Sequence, residues 1–420
     1  VRAALLIAAS VSLPATAEPT FVGAASCGSG NCHGKVAPEL RSTVLRNEHR
    51  TWSVESRHAR AYQTLLTAQA RQIATTLGLS AAHTSPTCLG CHSTPTAELQ
   101  RGARFRTSDG VSCEACHGPA GEWLVSHRDQ NVSSAAERGR GMTQLADPAI
   151  RAAVCVGCHI GDDNRFANHR LLSAGHPRLI FELDAFSQNQ PVHHRADADY
   201  RARKPQGEKP GLLWLHGQLA AARADLGLIA RYGHAPSGDQ LWPEFAVHDC
   251  HSCHHPMNDD NYGGQQVTLP GRLRLRDSHF QLLGEAVAVL APDRASAYRA
   301  AVATLLTDAQ QGRNLQRAVA VLQKQLTALS KQWLSLAPTR QQLAEIRSGL
   351  LSRAARNGSL DYSDAAQIML AIDTLSLQLG DTEQLAPQIN SLFQQVINDT
   401  RYGSRAFARA ARQLSERLDD

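Results

Sequence analysis

The sequence predicts a mainly α protein in two parts, a loop-rich segment organised around paired cysteines and then a bundle of α-helices. Three observations predict it. All ten cysteines of the 420 residues form five pairs, and a histidine directly follows each pair. Residues 21–279 are punctuated by Gly, Pro and short polar runs, with few long periodic segments. Beyond 279 there is neither cysteine nor histidine, and apolar residues return at helical spacing.

Residues 1–17 read as a secretory signal. Arg2 is a minimal basic start, Ala3 to Leu13 is mostly apolar, and Ala15-Thr16-Ala17 is a small-x-small cleavage site before Glu18. The run is too short and alanine-rich to span a bilayer convincingly, an uncleaved anchor being the alternative. No other stretch reaches transmembrane length. The expectation is an exported protein of the periplasm, or of the extracellular space, with no integral membrane span.

The five motifs carry the chemistry. Four have two residues between the cysteines, at Cys88 and Cys91, Cys113 and Cys116, Cys155 and Cys158, and Cys250 and Cys253. The histidines that follow are His92, His117, His159 and His254. The fifth, Cys27-Gly28-Ser29-Gly30-Asn31-Cys32-His33, has four intervening residues, an insert that glycine lets bulge. Two thiols about one helical turn apart suit the two vinyl groups on one edge of a haem. The adjacent histidine then ligates the iron from below. Structural zinc would use two such pairs per ion and leave one over. Secreted disulfides have no reason to place histidine after every second cysteine. Five covalently attached haem c groups are expected, with His33, His92, His117, His159 and His254 as proximal ligands.

Composition agrees. Aromatic residues make up only 5% of the chain, and haems would supply the missing apolar bulk. The 43 basic and 38 acidic side chains give a formal +5. Ten ionised propionates would carry this to roughly −5, so the basic balance does not argue for a nucleic-acid or membrane partner. Domains are expected at 18–280 (pentahaem cytochrome c domain, wrapped around its haems) and 281–420 (α-helical bundle).

Within the first, helical spacing predicts short helices at 52–77 and 212–232, with a turn or one helical turn at each motif. Residues 201–210 and 259–266 read as exposed loops. In the second, Leu315, Val319, Leu322, Leu326, Leu329 and Trp333 form an amphipathic seam. Ile368, Ile372, Leu375 and Leu379 repeat it, and Leu392 and Val396 do so more loosely. Breaks at Pro338, Asn357-Gly358 and Gly380 predict four to six helices, whose stripes are core rather than a partner-docking face. No catalytic constellation is visible there.

Function turns on the far side of each iron. A distal histidine closes the metal and makes an electron-transfer haem; its absence leaves a site open for chemistry. Fourteen further histidines are enough to close all five haems, so counting alone leaves both readings standing.

Several strings resemble the cytochrome c554 family of periplasmic multihaem proteins. They are Phe21-Val22-Gly23 before the first motif, Trp52 with Arg57-His58-Ala59-Arg60-Ala61-Tyr62, the sequence GVSCEACHGPA from Gly110, and Ala174-Gly175-His176-Pro177-Arg178. The likeness covers about residues 20–280 and leaves the helical tail unexplained. It implies closely packed, mostly bis-histidine haems in a helical fold with little sheet, and electron exchange with a partner oxidoreductase. On that resemblance His58 and His176 rank first as distal ligands, then His127 and His49. The fifth comes from His193 or His194, with His83, His169, His216 and His248 in reserve. His251 and His255 are expected to make local hydrogen bonds. Close spacing of the attachment histidines implies at least one tight haem pair.

The favoured function is electron transfer between redox partner proteins. The alternative is a multihaem oxidoreductase acting on a small nitrogen or sulfur species at one open haem, with Arg178 or Tyr200 orienting substrate. No CxxCK motif, a mark of some catalytic haems, is present. A further alternative is a self-associating subunit of an extracellular cytochrome filament.

Overall fold

The computed structural model describes residues 18–36, 46–129, 131–191, 209–233, 243–254, 273–356 and 360–419. The expected signal at 1–17, His193, His194, Tyr200, His255, most of the 201–210 loop and the 259–266 loop lie outside them. Among the described residues the chain is α-helical with only two isolated β-bridges, Phe21 to Arg101 and His248 to Leu275.

The first part is built of short pieces. Helices α1 (Glu48–Glu55), α2 (Ala61–Thr64) and α3 (Ala68–Leu77) are the short helices of the 52–77 stretch. Ser56 and Thr67 adopt extended backbone between them, and the Thr67 side chain accepts a hydrogen bond from Ala70 N–H to start α3. Next come α4 (Pro86–His92), α5 (Cys113–His117), α6 (Ser134–Gly139), α7 (Pro148–His159), α8 (His169–Ser173) and α9 (Leu183–Gln188). The fourth motif therefore ends a three-turn helix, α7, instead of occupying the single turn expected. Asp147 caps that helix and Pro148 is its first residue.

Helix α10 (Leu212–Tyr232) has the predicted bounds and packs against α7 and α9. Trp214, Leu215, Ala222, Leu226 and Ile229 are buried on several of its faces, as befits a helix surrounded by protein.

Among the described residues seven helices follow, against the four to six expected. They are α11 (Ser278–Leu290), α12 (Pro292–Gln310), α13 (Gln316–Trp333), α14 (Arg340–Arg356), α15 (Tyr362–Leu379), α16 (Thr382–Val396) and α17 (Ser404–Asp419). One unexpected break falls at Ala291, where Pro292 opens a new helix. The seams are core as predicted: Leu322, Leu326, Leu329 and Trp333 of α13 and Ile368, Ile372 and Leu375 of α15 are all buried. One apolar core runs from Ala152 to Leu414, so helices on both sides of residue 280 share it. Before Ala152 the main apolar cluster is small, around Leu65, Ala70, Ala74 and Ala82.

Candidate functional site

Each motif is shaped by its own local chemistry. In the first, His33 N–H donates to Cys27 O and closes the longer loop. Gly28 makes room there, because a Cβ would lie 2.9 Å from the His49 ring. The third motif is held by Glu114, which lies between its cysteines and is buried. Its carboxylate accepts from the N–H groups of Val22, Gly23 and Ala120, each at 2.8 Å. Trp52 Nε1 donates to Val111 O. Thus the FVG start, Trp52 and the GVSCEACHGPA string meet at one place.

Motif histidines then meet distant ones. His33 faces His127 with ring centroids 6.2 Å apart, His159 faces His58 at 6.1 Å, His92 faces His176 at 6.3 Å and His254 faces His169 at 6.5 Å. A metal–imidazole bond of about 2 Å, plus about 1 Å from nitrogen to ring centre, places two imidazoles on one metal about 6 Å apart. The four pairs fit that spacing.

Hydrogen bonding on the other ring nitrogen agrees. His33 Nδ1 lies 3.0 Å from Glu48 Oε2, His127 Nδ1 3.1 Å from Trp123 O, His92 Nδ1 3.0 Å from Ala61 O and His176 Nδ1 2.8 Å from Pro177 O. With an acceptor at Nδ1, that nitrogen donates and Nε2 presents its lone pair to a metal. Burial, with His58 second, holds the His159 imidazole down at about 4, so it is neutral as a ligand must be. Phe181 stacks on its ring at 4.3 Å.

Thiols of different motifs also converge. Cys27 and Cys113 hydrogen-bond each other, as do Cys91 and Cys158, while Cys116 feels the charge of Cys158. Spatial neighbours are thus the first and third, the third and fourth, and the second and fourth motifs, not simply those adjacent in sequence. Cys250 and His159 line a common cavity that links the fifth motif to the fourth.

The remaining expected residues are placed as follows. His49 packs against Gly28 and lies 5.6 Å from the Trp52 ring. His117 ends α5, and its carbonyl accepts from Thr143 N–H. His251 Nδ1 lies 3.4 Å from Tyr362 N, a contact with α15 111 residues further along the chain rather than within the motif. His169, held in reserve on sequence grounds, is the histidine brought to the fifth motif. Its only local signal is the helix start at Asn168, whose side chain caps α8.

Sequence reasoning missed a buried charged layer beneath the fifth motif. Asp225 of α10 contacts Arg276 at 2.5 Å and His279 Nδ1 at 2.6 Å. Burial alone would raise the Asp225 carboxyl, but Arg276 and His279 hold it down at about 2. Nearby, Asp277, Asp361 and Asp364 bring carboxylate oxygens within 4.8 Å of one another. Arg274 pairs with all three and Arg353 with Asp364, so side-chain cations already supply the positive charge.

Paired thiols and adjacent imidazoles gathered in this way by a helical chain resemble the attachment sites of a c-type cytochrome. The family whose model matches is cytochrome c554 and c-prime, over residues 26–118, a stretch that holds the first three motifs. The resemblance to the cytochrome c554 family is borne out there, and it implies covalently bound haem c and electron transfer. No curated protein and no solved structure matches the chain. Among the described residues no helix is long and apolar enough to cross a membrane.

Proposed function

We propose that this protein is an exported pentahaem cytochrome that passes electrons between redox partner proteins. The observation that carries the reading is that four motif histidines each face a second histidine at the separation two ligands of one iron require. The ten motif cysteines hold the haems, and His33, His92, His117, His159 and His254 are the proximal ligands. His127, His176, His58 and His169 are the distal partners of the first, second, fourth and fifth motif histidines. Haem c supplies a one-electron iron couple.

The chain's own groups do the rest. Glu48, Ala61, Trp123 and Pro177 orient the ligand rings through Nδ1, and the fold sets the attachment points of neighbouring motifs short distances apart. A periplasmic location accords with the family's usual compartment. The division at about residue 280 separates the cysteine-bearing segment from the helices that wall its fifth motif.

The test is a pyridine haemochrome count with EPR of the oxidised protein. Five haem c per chain and low-spin signals for the four facing pairs are expected. His127→Ala should convert one low-spin haem to high-spin without loss of covalent haem. A variant that keeps every low-spin signal unchanged would overturn its pairing.

A further inference from the structure

A cavity lies between the fourth and fifth motifs, bounded by His159 and Cys250 and walled on one side by Ser363 and Gln367 of α15. It has room for a few water-sized molecules. Arg178, Arg276, Ser278, His279 and Gln367 line it. One buried atom of each lacks a hydrogen-bond partner: Arg178 Nη1, Arg276 Nε, Ser278 Oγ, His279 Nε2 and Gln367 Oε1. Ser278, His279 and Gln367 are at least nine-tenths buried. An unsatisfied buried polar atom is destabilising, so five around one small space call for an occupant, and Arg178 Nη1, Arg276 Nε and Ser278 Oγ are the ones able to donate to an anion.

The sign of that occupant follows from the lining, which among the described residues contains two guanidinium groups and no Asp or Glu. Each guanidinium already meets one carboxylate elsewhere, Arg178 with Asp399 and Arg276 with Asp225. The nitrogens left over are donors without an acceptor, and Ser278 adds a hydroxyl. A planar guanidinium is suited to oxygens of a carboxylate or oxyanion.

We propose that this cavity is an anion site in which Arg178, Arg276 and Ser278 bind a carboxylate or a small oxyanion. Two sources share that chemistry. One is a free three- or four-atom oxyanion. The other is a haem propionate, and for this source alone the proposal rests on the haem reading above. Thioethers and propionates occupy opposite edges of a haem. Guanidinium groups beside Cys250 are therefore remote from the carboxylates of the haem bonded there. The fourth motif's haem, whose His159 shares the cavity, would be the propionate donor.

The experiment uses the haem-loaded full chain, with Arg178→Gln and Ser278→Ala as variants. Haem content and spin state are measured first, so that failure of the haem reading is seen before any anion is added. Nitrite and sulfite are then titrated by calorimetry, and redox-difference infrared spectra are recorded. One-to-one binding by the parent protein, weakened at least tenfold in Arg178→Gln, identifies a free oxyanion. No binding, together with a shift of one haem carboxylate band in Arg178→Gln, identifies the propionate. Ser278→Ala, which alters no charge, should move the same readout less. No binding and unchanged carboxylate bands in both variants would overturn the proposal and leave the cavity to water.

Discussion

His33 sits between two roles, attached in sequence to the first cysteine pair and tied in space to Glu48. The Glu48 hydrogen bond is the main influence that raises the His33 imidazole. An anionic acceptor at Nδ1 makes the ring a stronger donor and favours the oxidised metal. Glu48→Gln is therefore expected to raise the potential of one haem. The change should be roughly tens of millivolts, given that a tenfold shift in a one-electron equilibrium is about 59 mV. Spectroelectrochemical titration checks it, and five unchanged potentials would count against His33 as a ligand. His58→Ala and His176→Ala should each turn one low-spin haem high-spin in EPR, while the pyridine haemochrome count stays at its parent value.

At the scale of elements, Glu182 joins the cysteine-bearing segment to the C-terminal helices. It caps α9 through Asp184 N–H and Ala185 N–H and accepts from Thr374 Oγ1 of α15. Burial pushes its carboxyl up to about 7. A carboxyl raised in the folded state favours folding when protonated, below the usual glutamate range. That advantage is lost as pH rises from about 4.5 to 7, and the charged form then costs about 3 kcal/mol. Thermal melting should therefore show the parent protein losing more stability between pH 5 and pH 8 than Glu182→Gln does. Equal slopes would mean that Glu182 is not the group responsible.

For the molecule as a whole, the shared core makes a strong statement. Leu226 and Trp214 of α10 are fully buried, as are Phe280, Leu282 and Leu283 of α11. A chain ending at residue 280 would strip α10 of its contacts with α11 and α13 and expose this apolar surface. It should aggregate or fail to load the fifth haem, which size-exclusion chromatography with a haem count would show. The facing pairs also differ in ring angle. His33 with His127 and His169 with His254 lie at 15° and 30°, whereas His58 with His159 and His92 with His176 lie at 80° and 85°. Parallel and crossed axial imidazoles split the iron orbitals differently, so the low-spin EPR signals should fall into two classes, ordinary rhombic and highly anisotropic. A single class would contradict the ring orientations.

What the sequence by itself determined is the spacing on which the attachment reading rests. Two thiols and an adjacent histidine fall within about one helical turn, so Cys88, Cys91 and His92 are legible as a set without any knowledge of the fold. Helix seams such as Leu322, Leu326 and Leu329 are legible for the same reason, since a period of 3.6 residues is a local property. The 52–77 break was less visible, because Thr67 acts as a cap only once its hydroxyl reaches Ala70. Tertiary structure alone decided which histidine meets which, choosing His169 for His254 from among many candidates. It alone brought Arg178, Arg276 and Gln367 to one cavity. Those contacts join residues far apart in the chain, and their partners are selected by packing of whole helices. Their chemistry leaves no period, spacing or composition in the sequence from which it could be read.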